Sequence, residues 1–355
     1  MKIAVFPGQG AQHVGMGKEL CENFRIAREV FEEASDSTHL NLKKICFEGP
    51  ESELTLTEYT QPSLLTCSVA AYRVAHAETG FTPSAVAGHS LGEYSALVAI
   101  GALPLSSTAK WVRERGKAMQ LAVPSGQGTM AAIMGLGDEA ITKLCSHATS
   151  NAQEQRQKGA FPDLTVDPIA EPANFNAPGQ VVIAGSTDAV QEAIALVKAG
   201  GDFGGGKAVP LQVSAPFHCR LMAPARARMA ELFSNASKAE HPKLSNIPYV
   251  PNRTARPTHE SGLVFELLVE QVNSPVLWRQ SITALLELPL SSGTPEYTAI
   301  EFGPGKVLTG LIKRIAQPLG KTCRLQNVPD LAGIKALAVL SEADSRGTGN
   351  KENST

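Results

Sequence analysis

The run Gly88-His89-Ser90-Leu91-Gly92 fits the G-x-S-x-G pattern of a serine nucleophile. An apolar run, Ala85–Ala87, precedes it and a helix-forming run, Glu93–Ile100, follows it. A tight strand-to-helix turn of this kind pushes the serine hydroxyl out of a sheet, with glycines where Cβ atoms have no room. It also sets the Leu91 amide at a helix N-terminus, where its N–H is free to hold an oxyanion. A chance match in a turn is the alternative, and the strand–turn–helix context weighs against it.

A serine needs a base, and the chain has eight histidines. His89 lies inside the turn, and its side chain is expected to point away from Ser90. His13, His39, His76, His147, His241 and His259 lie in polar or helical surroundings without distinguishing context. His218 follows an extended segment, Ala208–Ser214, and then Ala215-Pro216-Phe217; a helical pattern of Leu221, Met222, Ala225, Met229 and Leu232 comes after it. Catalytic groups of α/β proteins gather at such strand-to-helix junctions. A helix N-terminus also disfavours imidazolium, which leaves the ring ready to accept a proton. On these grounds a catalytic and a structural His218 stand level.

The third candidate is a cation on an apolar face. Val112, Gly116, Met119 and Val123 form one stripe of a helix over Thr108–Val123, and Arg115 lies on that stripe. An unpaired buried guanidinium is costly, so Arg115 needs a partner. Either it forms an internal salt bridge to an Asp or Glu, or it is a fork that grips a substrate carboxylate, with Gly116 leaving space beside it.

The elements that must position these residues alternate between helix and strand. Ile3–Phe6, Ala85–Ala87 and Ala299–Phe302 are short apolar runs that end in glycine turns and lead toward helices, such as Lys306–Ile315. That pattern predicts α/β architecture with a mainly parallel sheet. The middle of the chain differs. Strands are expected at Met130–Met134 and Val181–Ala184, with a polar stretch between them, Ser146–Ala170, and a helix after them, Asp188–Ala199. This region is expected to be a small α+β domain, residues 128–208, inserted into a larger one made of 1–127 and 209–340. The tail, 341–355, lacks apolar periodicity and is expected to be disordered and dispensable.

With 355 residues, 43% of them hydrophobic and 19% charged, the chain can build a sizeable core. A net charge of -2 argues against a nucleic-acid partner. The longest apolar stretch, Ala96–Leu105, is interrupted by Gly101 and Pro104 and is too short for a membrane span. The N-terminus does not resemble a signal peptide. Six scattered cysteines without a CxxC pair suit reduced thiols in a cytoplasmic enzyme, not a disulfide framework or a metal site. The run Gly201-x4-Gly206-Lys207 mimics a phosphate loop, but Ala208 replaces the Ser or Thr and a helix precedes it, so it is expected to be a flexible connection.

Taken together, the motifs resemble the malonyl-CoA:acyl carrier protein transacylase family, which shares its fold with the acyltransferase domains of polyketide synthases. The resemblance runs from about Ile3 to Ile315. It rests on FPGQGAQ (Phe6–Gln12), TQPSLL (Thr60–Leu65), GHSLGEYSAL (Gly88–Leu97), Arg115 with its glycine, NFNAPGQVVIAG (Asn174–Gly185), SAPFH (Ser214–His218), NSPVLW (Asn273–Trp278) and FGPGKVLTG (Phe302–Gly310). It implies a hydrolase-like large domain and a ferredoxin-like small one. Ser90 would be acylated and His218 its base. The Gln9 and Leu91 amides would form the oxyanion hole, and Arg115 would bind the malonyl carboxylate. The backbone carbonyl of Gln271 would orient the histidine in place of an acidic residue.

The resemblance further implies ping-pong transfer from malonyl-CoA to the phosphopantetheine thiol of an acyl carrier protein, with no metal or redox cofactor, by a protein that is monomeric and needs no membrane. Asn176 falls in a motif that borders the site. Phe217, beside the histidine, matches the malonyl-selective relatives, where methylmalonyl-selective ones carry Ser; such sterics are worth only ~1–3 kcal/mol. Lys207 is a candidate carrier-protein contact, with a solvated lysine as the plainer reading. Two segments, Ser146–Ala170 and Gly200–Gly206, are longer than in the compact bacterial enzymes. The rival functions are an α/β-hydrolase-type esterase or thioesterase, and a carrier-protein docking module without activity.

Overall fold

A computed structural model describes residues 1–213, 215–290 and 296–349. Nine strands occur among them: β1 (Lys2–Phe6), β2 (Ala85–Gly88), β3 (Gly128–Met134), β4 (Ala170–Ala177), β5 (Gln180–Ser186), β6 (Lys207–Pro210), β7 (Tyr249–Val250), β8 (Tyr297–Phe302) and β9 (Cys323–Val328). Five of them form a parallel sheet in the order β7-β2-β1-β8-β9. Both faces are covered, as a parallel sheet requires. The side chains of β1 alternate accordingly: Ala4 and Phe6 enter one core cluster, and Ile3 and Val5 enter the other.

The other four strands form an antiparallel sheet in the order β4-β5-β3-β6. With the helices Asp138–Gln157 and Thr187–Ala199 between strands, the segment runs β-α-β-β-α-β, the ferredoxin-like succession. A third core cluster lies between this sheet and its helices, built from Ile133, Ile141, Leu144, Ile183 and Val190 among others. A bridge between Asn174 and Val276 ties the small sheet to the large domain's chain.

Three expectations change. The polar stretch from Ser146 is helical as far as Gln157, because Ile141, Leu144, Cys145, Ala148 and Ala152 give one buried stripe under a charged face. The last helix, Leu331–Gly349, carries on through the first residues of the segment expected to be disordered. Ile334 and Leu337 bury its first turns, and extending an established helix costs far less than nucleating one; residues 350–355 lie outside the described ones. The glycine-rich connection holds a short turn, Gly201–Phe203, whose Phe203 is buried against His147. No helix among the described residues is long and apolar enough to cross a membrane.

Candidate active site

β1 and β2 are parallel neighbours whose last residues, Phe6 and Gly88, pair. Beyond these carboxyl ends, where α/β sheets place their ligands, the chain turns at Ser90 into the helix Leu91–Ala99. Ser90 has φ 52° and ψ -108°, a strained conformation for a residue with a side chain. The flanking glycines are dictated by packing. A Cβ on Gly88 would lie 1.9 Å from the Gly92 carbonyl, and one on Gly92 would lie 2.0 Å from the Phe6 carbonyl oxygen.

His218, the residue expected to act as base, lies beside Ser90. Ser90 Oγ lies 2.7 Å from His218 Nε2, and His218 Nδ1 lies 2.9 Å from the Gln271 carbonyl oxygen. A carbonyl only accepts, so Nδ1 carries the proton and the Nε2 lone pair faces the serine. His218 is 3% exposed. Burial, and then the neighbouring Arg115 charge, push its pKa down to about 3, so the ring is neutral at physiological pH. The cause differs from the expected helix N-terminus: the next α-helix starts only at Ala223.

Arg115 is 1% exposed and reaches the same place. Its Nη1 donates to Gln61 Oε1 at 2.9 Å; its Nη2 donates to Gln271 Oε1 at 2.8 Å and to Ser90 Oγ at 3.3 Å. Tyr94 presents its ring 5.5 Å from the guanidinium carbon. All hydrogen-bond partners are neutral, and Nε is buried without a partner. No carboxylate pairs with Arg115 among the described residues, which disposes of the internal salt bridge. Gly116 does not make room for a ligand: the helix Thr57–Thr79 fills that side, and a Cβ there would lie 2.5 Å from the Thr57 carbonyl oxygen.

These groups open into a cavity of about 380 Å³ that Gln9, Ser90, Leu91, Arg115, Phe217 and His218 help to line. Leu91 is the first residue of its helix, so its amide has no intrahelical acceptor. The Gln9 side chain donates to Thr57 Oγ1 at 3.3 Å. Asn176 does not line the cavity; its Oδ1 lies 2.8 Å from His89 Nε2, and Asn174 lines the wall instead. His89 borders the cavity, with its ring turned away from Ser90 to Asn176 and Trp278 as expected. Lys207 is exposed on β6, away from the lining.

Two buried residues escaped the sequence reading. The Asn252 side chain accepts from the Ser90 amide at 2.7 Å and donates to the Gly88 carbonyl at 2.6 Å, which splints the strained turn. Glu93 Oε2 accepts from the Asn252 amide at 3.0 Å and from Gln271 Nε2 at 2.8 Å. Gln271 Nε2 also donates to the Ser90 carbonyl at 2.9 Å. Glu93 had a legible signal, a carboxylate among the apolar residues of a nucleophile helix. Asn252 had none.

The acyl transferase domain family matches residues 3–292 of this chain. The malonyl CoA-acyl carrier protein transacylase of Bacillus subtilis strain 168 is 41% identical to it over 90% of this chain and 92% of its own. That of Escherichia coli K12 is 42% identical over 89% of this chain and 93% of its own. An acyl carrier protein S-malonyltransferase from Vibrio cholerae has a similar structure, with TM-score 0.81 and 38% identity over 95% of this chain and 99% of its own. A type II PKS acyl-carrier protein in complex with its malonyl-transacylase gives TM-score 0.82 and 37% identity, covering 96% of this chain and 99% of the matched one. With a family match over most of its length and relatives at this identity over about nine-tenths of it, this chain is an acyltransferase of the malonyl CoA-acyl carrier protein transacylase family.

Proposed function

We propose that the chain moves malonyl from malonyl-CoA to the phosphopantetheine thiol of an acyl carrier protein through a malonyl-Ser90 ester. The observation that supports this best is Arg115: a buried guanidinium 3.3 Å from the nucleophile, held only by neutral groups and with a donor to spare. A substrate carrying a carboxylate beside its thioester satisfies that demand, and a neutral acyl group does not. The names of the relatives, and the structure of one with its carrier protein, agree with this substrate and this partner.

In the first half-reaction Ser90 Oγ attacks the thioester carbon while its proton passes to His218 Nε2. The oxyanion is held by the Gln9 and Leu91 amides, each such donor contributing roughly 3 kcal/mol. The C–S bond then breaks, and CoA leaves with the proton from His218. The second half runs in reverse: His218 takes the proton of the pantetheine thiol, the sulfur attacks the ester, and Ser90 is released. No electrons change hands, so the chemistry calls for no redox cofactor. Phe217 lines the cavity, and its bulk leaves less room for an α-methyl branch than a serine there would, which favours malonyl over methylmalonyl. The unpaired cysteines agree with work in a reducing compartment, the cytoplasm.

Incubation with malonyl-CoA and carrier protein tests the reading. The phosphopantetheinylated carrier is expected to gain a malonyl group, and the carrier without that arm is not. Release of free malonate in place of transfer would make the chain a thioesterase.

A further inference from the structure

Arg115, Gln271 and Glu93 form a chain of contacts that the reaction sequence above does not use. The guanidinium donates to the Gln271 side-chain oxygen, and the nitrogen of the same amide donates to the Glu93 carboxylate. The amide cannot be reversed. Its nitrogen faces the Ser90 carbonyl and Glu93, both acceptors here, so its oxygen must face the arginine. Cation and anion are thus separated by one amide group. A direct ion pair would occupy the guanidinium; the relay leaves it open toward the cavity. Glu93 Oε1 is buried without a partner, so the carboxylate is incompletely satisfied.

We infer that Glu93 is the internal counter-charge of Arg115, relayed through Gln271, and that it takes up a proton when a malonyl carboxylate settles on Arg115. The inference rests on the malonyl reading of the site. While the cavity is empty, Glu93 offsets the arginine's charge. Once the substrate carboxylate takes that place, two anions share one cation, and the poorly solvated one gives way by protonation.

The surroundings leave Glu93 free to respond. Facing it are Arg115 from the helix Leu105–Leu121, Tyr94 from its own helix and Tyr249 from β7. Burial pushes both phenols up, so neither is charged at neutral pH. His218 beyond Gln271 is neutral, and the helix Thr57–Thr79 reaches the arginine through neutral Gln61. Burial raises Glu93 to about 7 against the opposing pull of its hydrogen bonds and Arg115, so small changes in local charge alter its protonation near neutral pH.

The test is the ratio of kcat/KM for malonyl-CoA to that for acetyl-CoA, followed from about pH 6 to about pH 9. The ratio cancels ionisations common to both donors and leaves what concerns the malonyl carboxylate. In the wild type it is expected to fall roughly tenfold as Glu93 ionises. In Glu93→Gln it is expected to stay flat and to exceed the wild-type ratio at the alkaline end. A flat wild-type ratio, or an equal fall in Glu93→Gln, overturns the inference. Should that variant fail to fold, proton uptake in weakly buffered solution near neutral pH decides on the wild type alone. Uptake on acylation by malonyl-CoA but not by acetyl-CoA supports the inference, and equal uptake overturns it. Absence of malonyl transfer at every pH would sink the malonyl reading together with this inference; malonyl transfer with a flat ratio sinks the inference alone.

Discussion

Replacing His218 with Ala is expected to slow both half-reactions by about 10²–10⁴, because one base serves both thiol exchanges. The single-turnover rate of acylation and the rate of transfer to the carrier should fall together. A variant that loses only one of them, or neither, would mean that another group takes the proton. The wild-type pH profile carries a related expectation. Burial and Arg115 hold His218 at about 3. The acid limb of kcat/KM with acetyl-CoA, which avoids the malonyl carboxylate, should therefore lie well below the ordinary histidine range. Kinetics are the better readout than stability. The depressed histidine makes stability rise with pH from about 3 up to its unfolded value, whereas the raised Glu93 makes stability fall with pH between its unfolded value and about 7. The two effects oppose each other over much of the same interval.

Arg115→Ala is expected to lower malonyl transfer on the order of 10²-fold relative to acetyl transfer, the loss that follows when a buried charge-assisted contact is removed. The acyl-enzyme with malonate loses its anchor. Neutral acyl groups no longer face a desolvated guanidinium, so the donor preference should shrink or reverse. Lys at this position should rescue only in part. It supplies one point charge, whereas the guanidinium holds Gln61 and Gln271 with separate nitrogens and still reaches Ser90. The measurement is kcat/KM for malonyl-CoA and acetyl-CoA on folded variants. An unchanged ratio would remove Arg115 from carboxylate recognition.

The parts of the site that were legible in the sequence are those encoded by local pattern. The turn at Ser90 announces itself because its glycines, strand and helix are contiguous. Arg115 stands out because an arginine on an apolar stripe is a physical anomaly. On its own residues His218 stood level between a catalytic and a structural reading, and only the family resemblance favoured the first; its partner Ser90 is 128 residues away in sequence. The support around these three was not legible, since it consists of pairings between distant segments. Asn252 meets Ser90 across 162 residues, and Gln271 meets Glu93 across 178. Nothing in the spacing of an isolated Asn or Gln marks it as buried. The Gln271 carbonyl was expected from resemblance, but its side chain, which joins Arg115 to Glu93, was not. Gly116 shows the opposite error: a glycine beside the candidate carboxylate-binding arginine suggested ligand space, and a neighbouring helix occupies it. In the small sheet, short apolar runs marked β3 and β5, while the helix over 138–157 was hidden because polar residues outnumber its buried stripe.

Intact-mass analysis after incubation with malonyl-CoA alone tests the role of Ser90 most directly. The wild type should gain one malonyl group, and proteolysis should locate it on the peptide that holds Ser90. Ser90→Ala, folded as judged by circular dichroism and thermal melting, should gain nothing. A malonyl adduct on folded Ser90→Ala, or a wild-type adduct at any other residue, would contradict the account.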